Sequence, residues 1–490
     1  MVISTTSGKS ELIGKRVPQS GLWTVVAVVC LSLFFSCSST QKAVVWQSAD
    51  GPMKEIAELR KKITVPRFAN REFLVTDFGA VGDGKTLNTE AFRKAIEACN
   101  RAGGGRVVVP FGRFLTGAIY LKSNVNLHLA DSTTISFSVD PKDYPIVFTR
   151  WEGMELMNYS ALIYAYGEKN IAITGNGTLD GQASFENWWG WNKGRPSKQV
   201  AARNRLHELN HQQTDPRTRV FGDSSFLRPN FIQPYNCTNI LISGVKMINS
   251  PMWNVNPVLC ENVTVENVKI IAHGPNTDGV DPESCKNVAI RNCYFDTGDD
   301  CIAIKSGRDE DGRRIARPAE NHLIEGCEMK DGHGGVVIGS EISGGAKNIY
   351  AINCTMSSPN LDRILRLKTS SSRGGIIENV FMKDVRVGTY KESAVHCNMF
   401  YEQPGNFLPT IRNIWVENLV VEDGGKYGVY IHAYKESPVQ NLKMVNCTIN
   451  GVEIPMQIDH VEGLQFTNVS INGQHVKAPG AALSQKTTTQ

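Results

Sequence analysis

Apolar and polar residues alternate along much of this chain in short, separated bursts. From residue 239 onward one unit recurs. It opens with Asn, continues apolar–x–apolar–x, reaches Asn, Gly or Asp, and closes apolar–x–apolar. Copies begin at Asn239, Asn262, Asn287, Asn321, Asn348, Asn379, Asn413, Asn441 and Gly463, at intervals of 22 to 34 residues. Segments at Asn124 and Asn170 look like further copies. A period of two in runs this short predicts strands. The sixth position is Asn, Gly or Asp throughout, residue types that tolerate left-handed backbone. Two short strands hinged there, with loops of variable length, cannot bury an apolar face alone and must stack on their neighbours. The expected fold is therefore an all-β, single-stranded right-handed parallel β-helix.

One helical pattern precedes the repeat. Ala91, Phe92, Ala95, Ile96 and Cys99 fall at helical spacing between Thr89 and Cys99, and Arg-Ala-Gly-Gly-Gly stops the run. Asn88 or Thr89 can cap it. Such a helix would cover the first turn of the solenoid, whose core is otherwise open.

The remaining features refine this picture. Lys15 and Arg16 precede an apolar stretch, Leu22 to Phe35, that ends at Ser36-Cys37. It has the proportions of a signal-peptide core and is short for a membrane span. The ending resembles a bacterial lipoprotein signal, which would make Cys37 a lipid-anchored first residue of the mature protein. The expected division is a leader over 1–37, a linker and extension over 38–70, the solenoid over 71–475 and a disordered tail over 476–490. The expected location is periplasmic or outer-membrane-anchored in a bacterium, and the expected state is a monomer. A net charge of +4, part of it in the leader, is too small to argue for nucleic acid. Of the twelve cysteines, Cys293, Cys327, Cys354 and Cys447 occupy the inward seventh position of the repeat and read as small apolar packing residues. Cys237, Cys260, Cys285 and Cys301 lie elsewhere and stay open as bridge partners.

Three loops carry polar residues that a core does not need: Asp278 in Asn-Thr-Asp, Asp299 and Asp300 in Gly-Asp-Asp, and His333 in Gly-His-Gly. Any one of these aspartates alone would read as a turn former. Register changes that. Asp299 lies twelve residues after Asn287, and His333 lies twelve after Asn321. Equivalent positions of neighbouring turns stack about 4.8 Å apart. Asp278 precedes Asp299 by 21 residues, roughly one turn. Three carboxylates and an imidazole thus converge on one face, and like charges crowded together shift one another's protonation. Glycoside hydrolysis uses such a cluster: one carboxyl protonates the leaving oxygen and another activates water. Arg366 and Lys368, two apart, face the same side of a strand and can hold a sugar carboxylate.

In this order and on this repeat, the four motifs resemble glycoside hydrolase family 28, the polygalacturonases, from about Asp77 to Thr467. The resemblance implies the pectin-lyase-like solenoid, inversion at the anomeric carbon, no metal or other cofactor, and a pectic polysaccharide or oligogalacturonide as substrate. It makes Asp299 the general acid, Asp278 and Asp300 the water-activating pair, His333 an assistant beside the acid, and Arg366 and Lys368 the carboxylate holders. The family's Arg-Ile-Lys reads Arg366-Leu367-Lys368 here, with both charges kept. Two insertions, between Gly307 and His333 and from Gln182 to Tyr235, resemble those of bacterial exo-acting members. The second contains Trp188, Trp189 and Trp191, which can stack on sugar rings. The alternatives are an endo-polygalacturonase, a hydrolase of rhamnogalacturonan or xylogalacturonan, a calcium-dependent pectate lyase, and a non-catalytic carbohydrate-binding β-helix.

Overall fold

In a computed structural model the chain forms a parallel β-helix. The structure describes residues 50–194 and 196–478, with the backbone of 487–488. The leader, Cys37 and most of the tail lie outside the described residues.

Copies up to Asn348 supply two short strands each, and those from Asn379 onward run through the hinge as single strands, all in a 24-stranded, almost wholly parallel sheet that runs the length of the solenoid. The first apolar position stacks in strict register: Val263 on Val288, His322, Ile349, Val380, Ile414 and Leu442. His322 stands where the others are aliphatic. Its Nε2 donates to Cys285 O (3.1 Å), and burial lowers its pKa to about 4, so it packs as a neutral ring. The hinge behaves as its residue types require. Asn267, Asn292, Asn353, Asp384, Asn418, Asn446 and Asn468 are all left-handed, with φ between 51° and 55°.

The opening asparagines are also left-handed, and their side chains form a ladder. Asn321 donates to Asn287 (3.1 Å), Asn348 to Asn321 (2.9 Å), Asn379 to Asn348 (3.0 Å), Asn413 to Asn379 (3.1 Å) and Asn441 to Asn413 (3.0 Å). Each interior rung accepts one bond and donates one, which satisfies a turn that would otherwise leave amides unpaired.

The ten described cysteines are all free and buried. Cys293, Cys327, Cys354 and Cys447 line the core as expected. Cys237, Cys260, Cys285 and Cys301 are not bridged: the first three occupy equivalent positions of successive turns and form a second inward stack. Cys237 N donates to Cys260 Sγ (3.4 Å), and the Cys285 thiol donates to Pro257 O (3.2 Å). They fill space as small hydrophobes.

Five helices decorate the solenoid among the described residues. Helix α1 (Asp50–Lys62) belongs to the extension expected to be a linker. Ile56, Leu59 and Ile63 pack on Ala289, Leu323, Ile352, Phe381 and Trp415, an outward-facing apolar row on the long sheet. Helix α2 (Thr89–Arg101) caps the first turn with the five residues expected. Asn88 sits at its N-cap but makes no cap bond. It accepts from Val81 N (2.7 Å) and donates to Leu115 O (3.0 Å), which ties the helix to the first turns. Helices α3 (Trp188–Lys193), α4 (Val200–His211) and α5 (Asp309–Ile315) lie in the two insertions.

Candidate active site

The site forms on a seven-stranded sheet whose first members are Ile302–Ile304, Val336–Ile338 and Arg363–Lys368. Its register places the candidates. Val280 pairs with Ile302, so Asp278 and Asp300 occupy equivalent positions of adjacent turns. Ile302 pairs with Val336, so Asp299 and His333 do as well. On Arg363–Lys368, Leu365 and Leu367 are core residues while Arg366 and Lys368 alternate to the outer face. Close approach of the loops needs glycine at 298, where a Cβ would lie 2.4 Å from Gly274 O.

The structure brings all six predicted residues together. One oxygen from each of Asp278, Asp299 and Asp300 lies within 4.8 Å of the other two. That is closer than the gap of about 6.5–9.5 Å between the two carboxyls of most inverting glycosidases. Asp299 alone of the three reaches solvent, its side chain 19% exposed, and His333 Nδ1 lies 3.0 Å from its Oδ1. That hydrogen bond raises the His333 pKa, against the opposing effect of burial.

The other two carboxylates lie beneath and differ sharply. Asp300 receives Arg366 Nη1 (3.2 Å) and Lys368 Nζ (2.6 Å). Burial works to raise its pKa, but Lys368, Arg366 and Lys305 outweigh that and hold it at about 2. Asp278 is pushed well up by burial, then by Asp281 and Asp299. Its Oδ1 is buried with no hydrogen-bond partner, and the nearest cation, Lys305, is 3.8 Å from Oδ2. The cations expected to hold a substrate carboxylate are therefore already engaged by Asp300, with Arg366 Nε still free of a protein partner. The ring of Tyr401 lies against both, 5.2 Å from Arg366 Cζ and 5.1 Å from Lys368 Nζ. A divalent cation on the three aspartates would meet these two positive groups, which disfavours a calcium site here.

Several contributors are not evident from sequence. Arg228, fully buried, donates to Pro251 O (2.8 Å), Pro275 O (2.6 Å) and Asn276 Oδ1 (2.7 Å), and so pins the loop that carries Asp278. Burial lowers its pKa to about 10. Asn254 Nδ2 holds Asp278 O at 2.9 Å. Of the three tryptophans, Trp188 is buried against Tyr144 and Trp191 and is closed to a sugar. Trp189 donates its indole N–H to Ser250 O (2.9 Å), so the group anchors the insertion to the solenoid.

The insertions meet in one network of ion pairs. Arg308, at the start of α5, reaches Glu152 (3.1 Å), Glu341 (3.8 Å) and Glu402 (2.7 Å). Arg373 joins Asp309 (2.5 Å) and also binds Glu402. Arg203 of α4 reaches Glu152 at 3.0 Å. Six separate segments are thus clamped into a wall whose inner charge, Glu341, touches Lys305 beside Asp278 (3.1 Å).

A family model described as glycosyl hydrolases family 28 matches residues 222–473, half of the chain, including every residue of the cluster. The chain belongs to this family. It is a glycoside hydrolase of the polygalacturonase type, in agreement with the resemblance carried by its motifs. A probable polygalacturonase of Vitis vinifera is 30% identical over 413 residues, covering 80% of this chain and 77% of that protein. An exo-poly-alpha-D-galacturonosidase of Dickeya chrysanthemi is 26% identical over 451 residues, covering 83% and 71%. The solved hyperthermoactive exopolygalacturonase of Thermotoga maritima superposes with a TM-score of 0.83 at 44% identity, covering 86% of this chain and 96% of that one.

Proposed function

We propose that this family 28 enzyme cleaves α-1,4-galacturonosyl bonds of homogalacturonan from a chain end, by inverting hydrolysis with Asp299 as general acid. The observation that carries this reading is the division among three crowded carboxylates: one at the cleft surface against His333, one ionised on two cations, and one held toward its neutral form. Asp299, at the cleft surface, would meet the leaving oxygen. Water belongs on the deeper side, against Asp278 and Asp300, whose roles are to orient it and take its proton. Arg366 and Lys368 keep donors for a sugar carboxylate while holding Asp300 ionised. His333 orients Asp299.

The clamped wall beside Asp278 supports exo-action, because it leaves little room for a polymer to run past the cluster on that side. Similarity to exopolygalacturonases points the same way. Export, with a lipid anchor at Cys37, belongs to the same proposal and rests on the leader.

The test is digestion of polygalacturonate in the presence of chelator, wild type beside Asp299→Asn. Saturated products are expected, with the variant slower by about 10²–10⁴-fold. Unsaturated, ultraviolet-absorbing products that vanish with chelator would transfer the case to a lyase. Undiminished turnover in the variant would remove Asp299 as the acid.

A further inference from the structure

We propose that Lys305 is a positioning residue for the reaction: it holds the buried Asp278–Asp281 pair so that the two share one proton and Asp278 can accept another from water. This rests on the base role assigned to Asp278 above.

Lys305 follows the strand Ile302–Ile304, pairs in register with Glu283, and is only 3% exposed. Its Nζ lies 3.8 Å from Asp278 Oδ2, 3.5 Å from Asp281 Oδ1 and 3.1 Å from Glu341 Oε2. The Trp253 ring closes one further side, 4.5 Å away. With three acids in reach, this ammonium is committed to them and is retained by them. Those acids outnumber it. Glu341 shares its charge with Arg308 (3.8 Å), and Glu283, next in the row, is taken by Arg150 (3.3 Å). Arg228 approaches Asp278 from the insertion, and Asp299 and Asp300 add negative charge from the following turn. One lysine is then left for two buried aspartates.

A single cation cannot support two carboxylates out of water, so the pair keeps a proton. Both members are displaced in that direction: burial, opposed by Lys305, leaves Asp281 at about 8, and Asp278 is raised as well. Asp300, with two cations of its own, needs no such arrangement. The two water-facing carboxylates thus differ by construction. Asp300 is a fixed charge, and Asp278 is a base whose readiness depends on the charge behind it. Lys305 favours its ionised form, and Glu341, by drawing on Lys305, opposes it.

The experiment is the pH dependence of kcat and KM on polygalacturonate for wild type, Lys305→Met, Lys305→Arg and Glu341→Gln, with thermal melts of each. Removing the cation is expected to move the acid limb of kcat upward by about 1–3 pH units, the range for one opposite charge at this distance. KM at the new optimum is expected to stay within about twofold, and Arg to restore most of the limb. Glu341→Gln keeps Arg308 on Glu152 and Glu402, so the wall survives, and its limb is expected to move downward. Opposite shifts in the two variants would establish the role even if Lys305→Arg is poorly tolerated. Limbs that stay in place while kcat falls uniformly would reduce Lys305 to a packing residue. A raised KM with an unmoved limb would make it a substrate ligand and overturn the proposal. Wild type inactive on every pectic substrate would instead sink the functional reading itself.

Discussion

Asp278 and Asp300 stand at equivalent positions of successive turns, yet one is driven toward its neutral form and the other is held as an anion. Neither residue type nor spacing distinguishes them; the cations within reach do. The sequence places Asp278, Asp299, Asp300 and His333 together because stacking turns convert spacing into proximity. It does not disclose that Arg366 and Lys368 spend a donor each on Asp300, since that contact joins two turns separated by 66 residues or more. Lys305 and Asp281 escape notice for a plainer reason: Lys305 ends a strand-like run, Cys301 to Ile304, and Asp281 sits in a loop rich in turn formers. Their burial has a consequence for stability. Asp281 has a folded pKa of about 8, well above the usual carboxylate value near 3.9. A group raised in this way stabilises the fold fully below the unfolded value, and that contribution is lost as pH climbs toward 8. Wild type should therefore lose ground to Asp281→Asn between pH 5 and pH 8, by on the order of 2–4 kcal/mol. Paired chemical denaturation curves at the two pH values read the difference. Curves that keep a constant separation would show that Asp281 titrates normally.

The elements of the wall work as a unit held by ion pairs instead of sheet bonds. The loop 399–409 is the exposed member, and its only deep attachment by charge is Glu402, which takes Arg308 and Arg373 together. The same loop carries Tyr401 over Arg366 and Lys368. Each arginine keeps another acid when Glu402 is lost, Glu152 for Arg308 and Asp309 for Arg373, so Glu402→Gln should fold. Its expected effect is a KM raised roughly three- to tenfold, worth about 0.7–1.4 kcal/mol of substrate binding, with kcat within about twofold. An unchanged KM in steady-state assays would mean that the loop does not shape the cleft. At this scale the strands and the capping helix were legible, because a period of two and a period of 3.6 survive any loop between them. The asparagine ladder had a visible signal, the repeat's near-constant first residue, whose meaning emerges only when turns are stacked. Helix α1 also had one, Ile56, Leu59 and Ile63 at helical spacing, but its apolar partner is an outward row that the inward-facing pattern of the repeat conceals. The cysteine stack at 237, 260 and 285 was open to two readings because a thiol can bridge or pack, and register decides for packing.

For the molecule as a whole, the solenoid stacks its turns along one axis, and the insertions add an ion-paired wall beside Asp278, which the proposed function reads as closing one end of the cleft. Net charge contributes little; on the proposed reading the attraction for an acidic sugar is local, in Arg366 and Lys368. The central claim is therefore geometric: a carboxylate cluster set against a wall cuts near a chain end. The direct measurement follows viscosity and reducing ends together as the full-length protein digests polygalacturonate in chelator, with products sized from the first minutes. The account predicts saturated mono- or digalacturonate from the start, while viscosity falls slowly for each bond cut. A rapid fall in viscosity with a ladder of intermediate saturated fragments would contradict it, because a polymer would then be passing through the end that the wall is argued to close.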